Sequence, residues 1–250
     1  MKLLTALILL GIIGIMPAYG FNNQAGDFEA GSSQYLNITD ASQTGLDLTN
    51  LTFAAWVKFE SQPPTNHYRL VAKRATNQIQ YSFYYSVSEC VGSCLVITSG
   101  DVDCATEVLR TSAVTTLTNG RWYHVAAVLT NASTNNFIYL DGVRLAEVSQ
   151  VAGSIQNCTG AFEVGSTNGG IQNMDGLIDE LSVWNRVLSP DEIRGLMKKQ
   201  LTGKETGLVG YWPMEGDFRD RSNNANHLTN NNSVTMIFDR AYWDSYFMGF

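Results

Sequence analysis

The sequence predicts an all-β fold, an antiparallel two-sheet sandwich, from three observations. Apolar residues alternate with period two in one segment after another. Clusters of Gly, Asn and Ser punctuate those segments at short intervals, and a single stretch carries helix signals. Alternating runs without intervening helices imply antiparallel pairing rather than βαβ units.

In "LTFAAWVKFES", Leu51, Phe53, Ala55, Val57 and Phe59 fall on one face, with Thr52, Ala54, Trp56 and Lys58 on the other. In "IQYSFYYSV", Ile79, Tyr81, Phe83, Tyr85 and Val87 alternate with Gln80, Ser82, Tyr84 and Ser86. "WYHVAAVLT" and "NFIYLDGVRLAEV" read as a strand pair joined by a polar turn from Asn131 to Asn136, and Asp141-Gly142 marks a tight turn inside the second. "AFEVGST" and "GLIDELSVWN" continue the pattern. The exception is "SPDEIRGLMKKQLTG", with Ser189 as N-cap, Pro190 at the first helical position and Glu192 closing a capping box. Lys198 and Lys199 suit its last turns and Gly203 its stop, which predicts one short helix near residues 190–202 beside the sandwich.

A chain of 250 residues, 44% of them apolar, can bury a substantial core in one or two domains. Its net charge of −7 comes without any basic cluster, which argues against nucleic acid and anionic lipid as partners. Residues 1–20 have the pattern of a signal peptide: Lys2, an apolar run over 3–16, the breaker Pro17, and Ala18-Tyr19-Gly20 with small residues at the −3 and −1 positions. That run is short for a membrane span and no second one follows, so the expected product is secreted, with no span in the mature chain. In an oxidising compartment Cys90, Cys94, Cys104 and Cys158 are expected to form two disulfides, with all three connectivities open. Cys90 and Cys94 have the spacing of a zinc knuckle, but no His or further Cys pair stands at ligand distance. Five Asn-x-Ser/Thr sequons begin at Asn37, Asn50, Asn131, Asn157 and Asn231, and they bear on the protein if its source glycosylates secreted chains.

"RWYHVAAVLTNASTNNFIYLDGVRLAEV" followed by "GLIDELSVWNRVLSPDEIRGL" resembles the laminin-G-like, concanavalin A-like jelly-roll modules. The W-x-H-V-A strand, the Y-x-D-G turn and the G-x-I-D-E-x-x-x-x-x-R-x-L-S-x-x-E-I ending occur in order, and "FEAGSSQYLNITD" with "LTFAAWVKF" matches the opening strands. The resemblance covers roughly residues 26–197. It implies two curved antiparallel sheets in a jelly roll, often a structural calcium, and usually a binding role. "GLVGYWPMEGDFRDRSNNANHL", residues 207–228, resembles the segment that normally opens such a module, yet here it follows the module. Domain organisation then reads as signal peptide 1–20, module 21–203, a segment 204–237 resembling the opening strands, and an aromatic tail 238–250. The 204–237 segment either folds back into the vacant place, a circular permutation that spares two sheet edges, or begins a truncated second module.

The adjacent carboxylates Asp179 and Glu180 raise the question of catalysis. Glucanases of the resembling family carry their acid and nucleophile on one strand as E-x-D-x-E, because side chains at i, i+2 and i+4 share a face. Here the same-face neighbours of Asp179 are Leu177 and Leu181, while Glu180 is expected opposite with Ile178 and Ser182, so no pair converges. His124, in the W-x-H-V position, reads as packing. No catalytic residue is assigned. The resemblance instead implies calcium near Asp179, with Asp220, Asn223 and Asn226 of "DRSNNAN" and the N-terminal Asp27 as further candidate ligands. That loop departs from the family's D-x-S-G-N-G-N in both glycines, and a solvated Asn-rich turn, with Asp179 facing water or pairing with Arg186, is an equal alternative.

Tyr84, among polar neighbours, and Trp56, beside Lys58, are the candidate sugar-stacking platforms. Trp122 and Trp184 read as core. In the tail, Phe238, Tyr242, Tyr246 and Phe250 recur every four residues, a stripe that could pack on the sandwich, seal an edge or dock another chain. The expected function is a secreted, non-catalytic module binding a carbohydrate or an extracellular surface protein. A structural or adhesion protein without glycan binding, or a divergent glycoside hydrolase, are the alternatives.

Overall fold

The computed structural model describes residues 24–63, 67–100, 103–147, 149–150 and 153–239. The expected signal peptide and most of the aromatic tail, including Tyr242, Tyr246 and Phe250, lie outside them. In chain order the elements are β1 (Gln24–Phe28), β2 (Tyr35–Ile38), β3 (Leu51–Phe59), β4 (His67–Ala75), β5 (Gln78–Cys90), β6 (Gly92–Gly100) and β7 (Glu107–Val114). They continue with β8 (Trp122–Leu129), β9 (Phe137–Leu140), β10 (Val143–Arg144), β11 (Ser149–Gln150), β12 (Ala161–Val164) and β13 (Gly176–Trp184). Helix α1 (Pro190–Leu196) precedes β14 (Leu208–Trp212), β15 (Thr229–Asn231) and β16 (Thr235–Phe238).

Two antiparallel sheets stack as a sandwich. The first runs β10-β9-β8-β3-β13-β1-β16, with β14 also on β13; the second runs β11-β7-β6-β5-β4-β12-β2-β15. The inward residues are those the alternation selects: Leu51, Phe53, Ala55, Val57 and Phe59 of β3 meet Tyr81, Phe83 and Tyr85 of β5 in one apolar core. Burying such side chains contributes about 1.5–3 kcal/mol each, which is what fixes the register of both sheets. Gly176 opens β13 where a Cβ would lie 2.1 Å from the Lys58 carbonyl oxygen, so the family's Gly is a close-approach residue.

The helix is shorter than its sequence signals suggest. Ser189 and Glu192 form the expected capping box and Pro190 sits in the first turn, but the helix ends at Leu196 with Met197 as C-cap. Met197 is buried with Trp56 and Trp122, so packing draws the chain down onto the sheet before Lys198 and Lys199 can extend the helix. Ile193 and Leu188 cover Ala54, Ala126, Val128, Tyr139 and Trp184, and α1 thereby roofs the outer face of the first sheet. Trp122 and Trp184 are buried, as expected of core residues, but in these outer clusters rather than between the sheets.

The C-terminal segment enters both sheets. β14 pairs with β13 from Leu181 to Trp184, and β1 pairs with the same strand from Gly176 to Ile178, so the two share one flank of β13 end to end. β16 pairs with β1, and β15 with β2. Trp212, fully buried, stacks on Phe162 of the opposite sheet at 5.4 Å between centroids. The disulfides are Cys90–Cys94, closing the β5–β6 hairpin, and Cys104–Cys158, spanning 54 residues.

Candidate functional site

The two outer faces differ in chemistry. The first sheet's is apolar and lies beneath α1. The second sheet's carries Arg69, Ser82, Tyr84, Thr98 and Glu107 on β4 to β7, where alternation turns these residues away from the core.

Glu107 is the hub. Its Oε1 accepts from Arg69 Nη1 at 3.0 Å and from the Thr98 hydroxyl at 2.6 Å, and its Oε2 accepts from Arg74 Nη1 at 2.6 Å. Burial alone would raise the Glu107 carboxyl, but Arg69, Arg74 and Thr98 outweigh it and hold it down to about 2. Arg69 is spent on several partners: Nη1 also donates to Ser82 at 2.7 Å and Nε to Gln172 at 2.6 Å. A second acid sits beside the first. The Tyr84 hydroxyl donates to Glu89 Oε1 at 2.9 Å, and His67 Nε2 lies 3.5 Å from the same oxygen. Burial and then Arg69 lower the His67 pKa, against the pull of Glu89 and Glu107. This is a preorganised layer of donors and acceptors with two partly open carboxylates.

Both aromatic platforms are corrected. Tyr84 does lie on the polar side of β5, yet it is only 1% exposed. The Arg69 guanidinium caps its ring at 3.9 Å, His67 meets it edge-on at 5.2 Å, and Cys90 and Cys94 pack beside it. Trp56 is 4% exposed, edge-on to His124 at 5.4 Å and enclosed by Trp122, Leu177 and Met197. Neither presents a free face to a sugar. His124 is buried as expected, and burial alone pushes it down to about 3, leaving a neutral imidazole.

Asp179 and Glu180 form a β-bulge, not regular strand. Asp179 opposes Trp56 and Ser182 opposes Ala54, one residue too many on β13, and Glu180 takes φ +52°. Alternation therefore breaks: Ile178 and Leu181 both reach the inter-sheet core, and Glu180 is not on the face of Ile178. Asp179 is 1% exposed and accepts from the Glu180 amide at 2.7 Å, so it does not face water, and Arg186 bonds Glu192 instead. Glu180 accepts from the Tyr211 hydroxyl and from Gln200 Nε2 under the chain that follows α1. Burial raises its pKa to about 7, against the two hydrogen bonds and with help from Glu215.

The five expected calcium ligands do not form one set. Asp220 is already saturated: Oδ1 accepts from the Tyr211 and Ser222 amides, and Oδ2 from the Ser222 hydroxyl and the Asn226 amide. Asn226, fully buried, ties this loop to Thr44 and Val209, while Asn223 is exposed. Ala225 takes φ +55°, so the turn survives the loss of the family's glycines, at about 1 kcal/mol of strain. Asp27 instead joins Glu29 and Glu60, with ligand oxygens all within 4.8 Å of one another. Its Oδ1 is buried without a hydrogen-bond donor among the described residues. Burial, then Asp27 and Glu29, raise the Glu60 pKa against the opposing pull of Lys58, as crowded carboxylates do when one nearby cation does not offset them. The residues fit a hard oxygen-seeking cation at Asp27, Glu29 and Glu60, and do not fit one at Asp220, Asn223 and Asn226.

The family described as the concanavalin A-like lectin/glucanases superfamily, in its laminin-G form, matches residues 30–194. The chain belongs to this superfamily. Its concanavalin A-like sandwich resembles that of a Bacteroides ovatus ATCC 8483 protein with a proposed carbohydrate-binding role, at 15% identity and TM-score 0.62 over 86% of this chain and 59% of that one. This chain thus spans less than two thirds of that protein's length. It also resembles the native heptameric SAP-like pentraxin of Limulus polyphemus, at 16% identity and TM-score 0.56 over 86% of this chain and 94% of that one. Likenesses at these identities show the concanavalin A-like fold alone. No curated protein matches the sequence.

The sequence reading missed His67, Arg69, Arg74, Glu89 and Glu107, and Glu29 and Glu60 in the acidic group. Arg69 between Tyr68 and Leu70 in "HYRLV" was a usable signal, an ionic side chain inside an apolar run. Its partner Glu107 is 38 residues away on another strand, a pairing no local pattern reports.

Proposed function

We propose that this concanavalin A-like chain is a secreted, non-catalytic module that binds a glycan on the outer face of its second sheet. The observation carrying this reading is the ordered layer of His67, Arg69, Arg74, Glu89 and Glu107 on the sheet face that no helix covers among the described residues. Polar groups held by one another stay oriented without a ligand, which limits the ordering entropy of binding. The carbohydrate-binding role proposed for the Bacteroides protein supports the same reading by analogy. Glycosidase chemistry is disfavoured by pKa placement: Glu107, at about 2, cannot serve as a proton donor near neutrality, and Glu180, at about 7, lies beneath the chain after α1.

Calcium in this reading stabilises structure. Asp27, Glu29 and Glu60 would hold it, and the ion would supply charge neutralisation where β1 meets the end of β3. Residues 204–237 in this reading take the place of the module's opening strands, as a circular permutation.

A glycan-array experiment on residues 21–250, run with calcium and with chelator, tests the function. Selective binding is expected; its absence under both conditions, with the protein folded, would contradict it. Calcium should also raise the Tm, and Asp27→Asn with Glu60→Gln should abolish that rise.

A further inference from the structure

We propose that the ligand of this face is an uncharged, hydroxyl-rich glycan, held at the edges of its sugar rings by two acid–base pairs, Glu107 with Arg74 and Glu89 with His67. The inference rests on the glycan-binding reading above and names its ligand class.

The order of exposure decides the charge. The Glu107 and Glu89 side chains are 23% and 31% exposed, whereas those of Arg69, Arg74 and His67 are 4%, 15% and 13% exposed. An approaching ligand therefore meets carboxylate oxygens first, with the two guanidinium groups and the His67 imidazole set behind them. A sulfate or uronate would be repelled there, and the guanidinium that could have answered it is committed: Arg69 serves Glu107, Ser82 and Gln172. A sugar hydroxyl suits the same place, donating to a carboxylate and accepting from a neighbouring cation.

The mode of contact follows from Tyr84. Sugar-binding surfaces commonly lay an aromatic ring under the apolar face of a pyranose, but this ring is covered by Arg69 at 3.9 Å. Without a stacking platform among these groups, recognition falls to hydroxyls at the ring edge. Contacts between neutral hydroxyls and fixed charges are weakly screened, so affinity should depend little on salt.

The test is retention of the mature chain on immobilised neutral polysaccharides, a glucan and a mannan, against a polyuronate and a sulfated galactan, each at low and high salt. Retention by a neutral polymer is expected, unchanged by salt, and weakened about tenfold or more in Glu89→Gln and Glu107→Gln. Glu89 is at the surface, so its variant reports binding even if Glu107→Gln unfolds. Retention confined to the anionic polymers, or neutral retention untouched by a folded Glu89→Gln variant, would overturn the proposal while leaving glycan binding intact. No retention by any polymer would overturn the glycan reading itself, and this inference with it.

Discussion

The guanidinium carbon of Arg69 lies 3.9 Å from the centre of the Tyr84 ring. This contact converts an aromatic that sequence alone offers to a ligand into the floor beneath an ion network. Arg69 is 3% exposed and holds Glu107, so removing it leaves a partly buried carboxylate with two of its three donors, Thr98 and Arg74, and uncovers the Tyr84 ring. Arg69→Ala should destabilise the fold by about 3 kcal/mol, lowering the Tm by roughly 10 °C in thermal denaturation. A loss of only a degree or two would mean that the network is decorative.

Glu180 makes stability depend on pH in a defined direction. Its folded pKa, about 7, is raised from an ordinary 4.5, so its contribution is fully present below about pH 4.5 and is lost as pH rises through 7. His124, held down to about 3 by burial, acts oppositely as pH falls below its ordinary 6.5, so the wild-type curve alone is ambiguous. The difference between wild type and Glu180→Gln isolates the carboxyl. The variant should gain stability relative to wild type between pH 4.5 and 8, and a flat difference would show that Glu180 ionises freely.

The disulfides should contribute unequally. Cys104–Cys158 closes a separation of 54 residues and Cys90–Cys94 one of 4, which in the chain-entropy account corresponds to about 4 against about 2 kcal/mol. Replacing the first pair with Ala should lower the Tm more than replacing the second. The reverse order would indicate that the hairpin disulfide matters through its packing on Tyr84.

Legibility in the sequence followed the range of the interactions. Alternation in β3 and β5 identified the inward residues, because one sheet face is buried and its period is local. The capping box at Ser189 and Glu192 was legible for the same reason, whereas the helix end was not, since Met197 answers to Trp56 and Trp122 far away in the chain. The bulge at Glu180 broke a face assignment that assumed unbroken pleating. The Arg69–Glu107–Arg74 layer and the Asp27–Glu29–Glu60 group were missed because each is assembled across strands.

The C-terminal segment gives a further prediction. β14, β15 and β16 cover β13, β2 and β1, and Trp212 is fully buried against Phe162. Deleting residues 204–250 should abolish the cooperative transition, and Trp212→Ala should destabilise by about 3–5 kcal/mol. A truncated chain that keeps its Tm would show that the segment is an accessory and not part of the sandwich.

The central claim is that a glycan sits on the outer face of the second sheet. Hydrogen–deuterium exchange of the full mature chain, with and without the polysaccharide it retains best, tests this most directly. The account predicts slowed exchange in β4 to β7 around His67, Arg74, Glu89 and Glu107, with the outer face of the first sheet around α1 unchanged. Protection confined to α1 and the first sheet, or to the loops at the sandwich ends, would contradict it.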